Sequence, residues 1–289
     1  MSLSNEQIAR YSRQLILPKV GMAGQQRLRE AAVLVVGAGG LGCPAALYLA
    51  AAGVGTLGLI DRETVALSNL HRQILYASHD AGRPKTSSAR AHLAALNPDS
   101  TVVPMQESLT AENARHVLEP YDVVLDGADN VPTRYLVNDA CVLLDKPLVH
   151  GGVVEFRGQV MTVRPKHSAC VRCVFPEPPE PGAVPSCQDA GVIGSAAGII
   201  GTLMAHEALK LLLGIGAPLT DRLLTFEGRT SRFREVPIRR DPSCAVCGNS
   251  PSIRVLANES TYEKLSEVRC QKSEVRSGVS DLRPQASDF

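Results

Sequence analysis

Short, unbroken apolar runs alternate with longer segments of mixed polarity along the first 155 residues. "AAVLVVGAGG" (31–40) flows from an apolar run into glycines, which predicts a strand buried on both faces and a turn after it. "LGCPAALYLAAAGV" (41–54) predicts a helix that ends near Gly53. Further strands are predicted in "GTLGLID", "TVVPMQ", "YDVVLDGAD" and "PLVHGGVV", and further helices in "PKTSSARAHLAALNP", "AENARHVLE" and "TRYLVNDACVLLD". Residues 5–30 read as two short helices broken at Pro18 and Gly21. Such alternation predicts an α/β fold, a doubly wound and mostly parallel Rossmann-like sheet with its ligand at the carboxyl ends of the strands.

The pattern changes after residue 155. "RGQVMTVRP" reads as a strand, "CVRCVFPEPPEPGAVPSC" as a proline-rich loop, 191–214 as a long helix, and "RLLTFEG" with "SRFREVPI" as a hairpin. One main domain over 1–250 follows: N-terminal helices (1–30), a nucleotide-binding half (31–155) and a second half (156–250) with an antiparallel extension. Residues 251–289, poor in large apolar side chains, are expected to be a loosely ordered tail.

Composition narrows the function classes. The 289 residues are 44% hydrophobic, and 30 basic against 29 acidic side chains leave a net charge of +1, so no broad basic field advertises nucleic acid or an anionic membrane. The most apolar stretch, 191–205, is shorter than the roughly 20 residues of a bilayer span and reads as a buried helix. The N-terminus lacks the apolar core of a signal peptide, which makes a cytoplasmic location the expectation. In that reducing setting, eight cysteines argue for metal or catalysis rather than disulfides.

Gly37, Gly39 and Gly42 form GxGxxG between a predicted strand and helix, where backbone N–H groups meet phosphate. Asp61 closes the second strand, where an acid accepts hydrogen bonds from ribose hydroxyls. A nicotinamide dehydrogenase would use both, but it has no evident use for "SNLHRQ" (68–73) or for Lys85 at the start of the next helix. Arg72 and Lys85, with Asn69 and Gln73, suit a triphosphate attacked at its α-phosphorus, where cations meet the charge moving onto pyrophosphate. Taken singly, either cation is an ordinary surface charge. "DGADN" (126–130) ends the fourth strand with two acids: Asp129 suits magnesium, while either Asp126 or Asp129 could cap the following helix. His71, His150 and His206 have no evident partner.

Cys170 and Cys173 with Cys244 and Cys247 make two CxxC pairs, the donor set of a closed tetrahedral zinc site. Their wide separation predicts a staple between the proline-rich loop and the end of the hairpin. Cys187 stands apart in a proline-rich stretch ahead of a glycine that could open a helix, a setting that lowers a thiol pKa. Cys43 and Cys141 read as core residues and Cys270 as a tail residue.

"RYSRQ" (10–14), "GAGGLG", "D…SNLHRQ", Lys85, "DGADN", "CVRC", "CQDAGVIG" and "CAVC" occur in the order seen in the ThiF/MoeB family, which the chain resembles over roughly residues 5–250. These are ubiquitin-activating-enzyme-like adenylyltransferases for sulfur carriers. The resemblance implies attack by a carrier's C-terminal Gly-Gly carboxylate on ATP, giving an acyl adenylate and pyrophosphate. It implies that Gly40 and Asp61 hold the nucleotide, that Ser68, Asn69, Leu70, His71, Arg72 and Lys85 surround its phosphates with Gln73 a further nucleotide contact, and that Asp129 and Asn130 complete the magnesium and nucleotide contacts. It implies a homodimer in which Arg13 reaches the partner's ATP site, and a covalent carrier intermediate at Cys187. On sequence alone Arg13 is a helix-surface charge.

Some relatives append a rhodanese domain. The tail here is too short for one and has no CxxxxR-type loop, so a separate sulfur donor, a cysteine desulfurase or rhodanese, is expected. Molybdopterin, thiamine and tRNA-thiolation carriers all fit. A tRNA threonylcarbamoyladenosine dehydratase and a non-catalytic scaffold stand as alternatives.

Overall fold

The computed structural model describes residues 3–178 and 190–257. Its elements run α1 (Asn5–Leu15), α2 (Gly21–Glu30), β1 (Ala32–Val36), α3 (Gly42–Ala52), β2 (Thr56–Ile60), α4 (Lys85–Leu96), β3 (Thr101–Met105), α5 (Ala114–Leu118), β4 (Val123–Asp126) and α6 (Val131–Leu143). They continue with β5 (Leu148–Val154), β6 (Arg157–Val163), α7 (Val171–Val174), α8 (Gly194–Leu213), β7 (Arg222–Glu227) and β8 (Arg232–Pro237).

The eight strands form one sheet in the order β3-β2-β1-β4-β5-β6-β7-β8. The five from β3 to β5 are parallel, and β6, β7 and β8 add on antiparallel, as the sequence predicts. Strand order turns back at β1, between β2 and β4, and such a switch point opens a crevice at the carboxyl ends.

Alternate residues of β1 serve two cores. Val33 and Val35 join α3 and α8 on one face, while Leu34 and Val36 join α5 and α6 on the other, so a continuous apolar run is required. Helix α8 is long and apolar enough to cross a membrane by length and composition. Its Ala196, Ala197, Ile200, Gly201, Met204, Ala205 and Ala208 are buried in the first core instead. Gly201 lets it lie against α3, where a Cβ would come within 2.3 Å of the Leu41 carbonyl oxygen. The expected loop at "CVRC" contains the short helix α7, and Ile253 and Leu256 pack on the second core.

Candidate nucleotide site and cysteine cluster

The glycine turn after β1 is built by close approach. Gly37 has φ of 88°, in the left-handed region, and a Cβ there would lie 2.8 Å from the Gly127 carbonyl oxygen. At Gly42 a Cβ would lie 2.0 Å from the Gly37 oxygen, so only glycine closes the turn there. Asp61, one residue beyond β2, accepts from Ala38 N–H at 2.9 Å and Glu63 N–H at 2.8 Å, which ties the second strand to the turn. Burial pushes its carboxyl pKa up, opposed by the charge of Lys85.

Lys85 opens α4 and is 2% exposed, with Nζ 2.6 Å from Glu63 Oε2, so it is not the surface charge that it would be on its own. Arg72 is half-buried. Its Nη1 donates to the Ser68 carbonyl at 3.0 Å and lies 2.8 Å from His71 Nε2, and its stem passes beside Gly40. Asn69 Oδ1 accepts from Ala66 N–H, fixing the turn that carries these groups. Gln73 is buried, and its Oε1 has no hydrogen-bond partner among the described residues.

At the end of β4, Asp126 is fully buried, accepting from Ala128 N–H at 3.1 Å and lying 2.7 Å from His150 Nδ1. His150 therefore has the partner that its sequence position did not disclose. Neither acid caps α6: Asn130 does, accepting from Thr133 N–H at 2.9 Å. The short carboxamide of Asn130 reaches the first turn with Pro132 already inside the helix. Asp129 is left exposed and has no hydrogen-bond partner among the described residues.

These strand ends enclose a cavity of about 460 Å³. Gly37, Gly39, Gly40, Asp61, Arg72, Gln73, Lys85, Asp129 and Asn130 line it. Asn69 lines an adjoining open hollow that shares Arg72, Gln73 and Asp129. Gly42, Ser68, Leu70 and His71 line neither, and nor does Arg13, which is exposed on α1. Cys187 lies outside the described residues. Arg62, Glu63, Glu107, Ser108, Leu109 and Arg134 also line the cavity and were not singled out from sequence. Most follow the carboxyl end of a strand, so the crevice rule applied strand by strand would have found them.

The four CxxC thiols converge, all within 4.8 Å of one another. Sγ separations are 4.0 Å for Cys170–Cys173, 3.6 Å for Cys170–Cys244 and 3.4 Å for Cys173–Cys247. A tetrahedron with zinc–sulfur bonds of about 2.3 Å has edges of about 3.8 Å, so the donor set fits zinc. Asp241 N–H donates to Cys173 Sγ at 3.4 Å, and Arg240 Nε and Nη2 both donate to the Cys247 carbonyl. Cys43 and Cys141 are buried core thiols, as expected, and burial pushes Cys43 up to about 12.

Residues 11–246 match the ThiF family. The chain belongs to that family. Among ThiF-type relatives, a sulfur carrier protein adenylyltransferase of Thermus thermophilus is 51% identical over 267 residues, covering 91% of this chain and 98% of that one. An adenylyltransferase and sulfurtransferase MOCS3 of Anopheles gambiae is 48% identical over 92% of this chain, which spans 60% of the mosquito protein's length. In fold, the chain is similar to E. coli MccB crystallised with MccA-N7isoASN, at a TM-score of 0.75 and 23% identity, over 85% of this chain and 76% of that chain.

Proposed function

We propose that the cavity binds ATP while the C-terminal Gly-Gly carboxylate of a ubiquitin-like sulfur carrier protein attacks the α-phosphorus. The carrier carboxylate forms the new O–P bond, the bond from the α-phosphorus to the bridging oxygen breaks, and pyrophosphate leaves with that electron pair. An acyl adenylate remains for thiocarboxylate formation. The observation that carries this reading is the meeting of the glycine turn, Asp61, Arg72, Lys85 and Asp129 in one cavity. The 51% identity to a carrier adenylyltransferase along nearly its whole length supports it.

Backbone N–H groups of the glycine turn and the start of α3 would receive phosphate. Asp61, anchored by Ala38 and Glu63, would accept from ribose hydroxyls. Arg72 and the buried Lys85 would hold charge that grows on the departing pyrophosphate; Glu63 already aims Lys85 along the cavity wall. Asp129, a carboxylate with no protein partner among the described residues, is suited to magnesium, which when bound would neutralise phosphate oxygens. Arg13, exposed and without a hydrogen-bond partner on its own subunit's described residues, would reach the neighbouring cavity of a homodimer. The Cys187 thiolate would displace AMP from the acyl adenylate to give a thioester, or, if it first took a persulfide sulfur from the sulfur donor, would displace AMP to give an acyl disulfide. The four-cysteine cluster would hold a structural zinc. Sulfur delivery is assigned to a separate cysteine desulfurase or rhodanese. We place the enzyme in the cytoplasm, serving a molybdopterin, thiamine or tRNA-thiolation carrier.

Magnesium-dependent ATP–pyrophosphate exchange, with Gly-Gly-ended carriers of the same genome supplied one at a time, tests the proposal. Exchange should require one carrier and vanish when its last glycine is removed. Absence of exchange with every carrier, despite ATP binding, would overturn it.

A further inference from the structure

Three metal-ligating side chains meet outside the nucleotide cavity and away from the cysteines. The turn at Ser78–Asp80 presents His79 and Asp80, and the middle of α4 presents His92. One donor atom from each lies within 4.8 Å of the others. His92 Nε2 is 2.7 Å from Asp80 Oδ2, and His79 Nε2 is 3.8 Å from Asp80 Oδ1. The two imidazoles are 5.9 Å apart and tilted by 44°.

Part of this has a purely structural explanation. Asp80 accepts from Ala77 N–H at 2.9 Å, which closes the turn, and His92 supplies a second bond to the same oxygen. That account leaves His79 unexplained: it directs Nε2 at the remaining oxygen from beyond hydrogen-bond distance and is 70% exposed. Arg83, 3.7 Å from Oδ1 and 61% exposed, can swing into solvent. The Asp80 side chain is 2% exposed, so the carboxylate is a fixed, desolvated anchor between two movable rings. Burial works to raise its pKa, but the Ala77 and His92 hydrogen bonds outweigh it and keep the carboxyl below its usual range.

We propose that His79, Asp80 and His92 form a second metal site, taking a first-row divalent cation such as nickel, cobalt or zinc through two imidazole nitrogens and the Asp80 carboxylate. Two imidazoles with a carboxylate are a borderline donor set suited to these ions rather than to magnesium or calcium. Bonds of about 2.0–2.2 Å place neighbouring donors about 3.3 Å apart; His92 Nε2 lies closer than that to Oδ2, at 2.7 Å, and His79 Nε2 farther than that from Oδ1, at 3.8 Å. Rotation of the exposed His79 ring, with a few tenths of an ångström of opening at His92, completes three sides of the shell. Water would take the rest.

Tag-free protein carrying one zinc per chain on its cysteines is titrated calorimetrically with Ni2+. One Ni2+ per chain is expected, with affinity reduced at least about tenfold in His79→Ala and in His92→Gln and retained in Asp129→Asn. His79→Ala removes only an exposed ring, so it decides the matter even where His92→Gln fails to fold. Absence of a stoichiometric Ni2+ event in the wild type, undiminished binding in His79→Ala, or loss in Asp129→Asn would overturn the proposal.

Discussion

Asp139→Asn should be the most damaging isosteric change in the second core. Asp139, on α6, is fully buried and accepts from Arg172 Nε at 2.7 Å and Nη2 at 2.8 Å; the arginine side chain is 4% exposed. Arg172 lies between the two cysteines of the first CxxC pair, donates to the Pro176 carbonyl and sits 4.7 Å from the Tyr135 ring centroid. An asparagine keeps the shape but turns an N–H group toward a guanidinium donor and removes the buried carboxylate that the guanidinium pairs with. Breaking such a pair costs about 3–5 kcal/mol. The Pro176 carbonyl and the Tyr135 ring remain to share the charge, which argues for the lower end, about 3 kcal/mol. For a domain of this size that is a fall in Tm of roughly 6–12 °C. Urea titration of zinc-loaded wild type, Asp139→Asn, Arg172→Met and the double Asp139→Leu/Arg172→Met measures it. The double variant should be more stable than either single one, because it removes both charges from the interior. A loss below about 1 kcal/mol in Asp139→Asn, or a double variant no better than the singles, would refute this account of the pair.

Arg72→Ala should lower pyrophosphate exchange about 10²–10³-fold while changing stability by about 1 kcal/mol or less, since its hydrogen bonds to Ser68 and His71 are local. Unchanged turnover would remove Arg72 from the phosphate site. Stripping zinc with a chelator should lower Tm by at least about 5 °C, because the four thiols join segments 74 residues apart; equal Tm values for metal-loaded and metal-free protein would end that claim. The Asp80 carboxyl is held below its ordinary 3.8, so its ionised form stabilises the fold fully above that value and loses the effect as pH falls through the folded pKa. Asp80→Asn should therefore cost stability at pH near 6 and progressively less toward pH 3, read by urea titration at each pH; a constant gap would show that the charge contributes nothing.

Much of the parallel half was legible because its rules are local. Val33, Leu34, Val35 and Val36 needed only their unbroken apolarity to predict a strand covered on both sides, and Gly37 and Gly42 needed only their spacing. The order of motifs also pointed to the polar groups Asp61, Arg72, Gln73, Lys85, Asp129 and Asn130 of the cavity lining. What escaped depended on direction and pairing. The chain offers three residues in five, Asp126, Asp129 and Asn130, that can cap α6, and spacing alone cannot say which one turns inward; the Asp126–His150 bond takes one out of contention, and of the other two it is Asn130 that accepts from Thr133 N–H. The ion pair between Asp139 and Arg172 joins residues 33 apart, one on a helix and one inside a metal motif, and no local pattern links them.

That unseen pair explains why the cysteine cluster belongs to the same unit as the nucleotide cavity. Helix α6 touches both. Asn130, Pro132, Thr133 and Arg134 at its start line the cavity, and Arg134 Nε donates to the Ala128 carbonyl, bracing the loop before Asp129. One to two turns later, Asn138 accepts from Val171 N–H, Asp139 binds Arg172, and the Tyr135 hydroxyl donates to the Phe175 and Glu177 carbonyls. Residues 171–177 are thus held by three side chains of the helix whose first turn forms the cavity wall. A metal that draws Cys170 and Cys173 toward Cys244 and Cys247 would fix this stem from its other side. Both contacts constrain where the chain departs toward residue 187, so a structural zinc can matter to adenylation without lying near a phosphate. Asp139→Asn in zinc-loaded protein tests one constraint and chelation of the wild type tests the other.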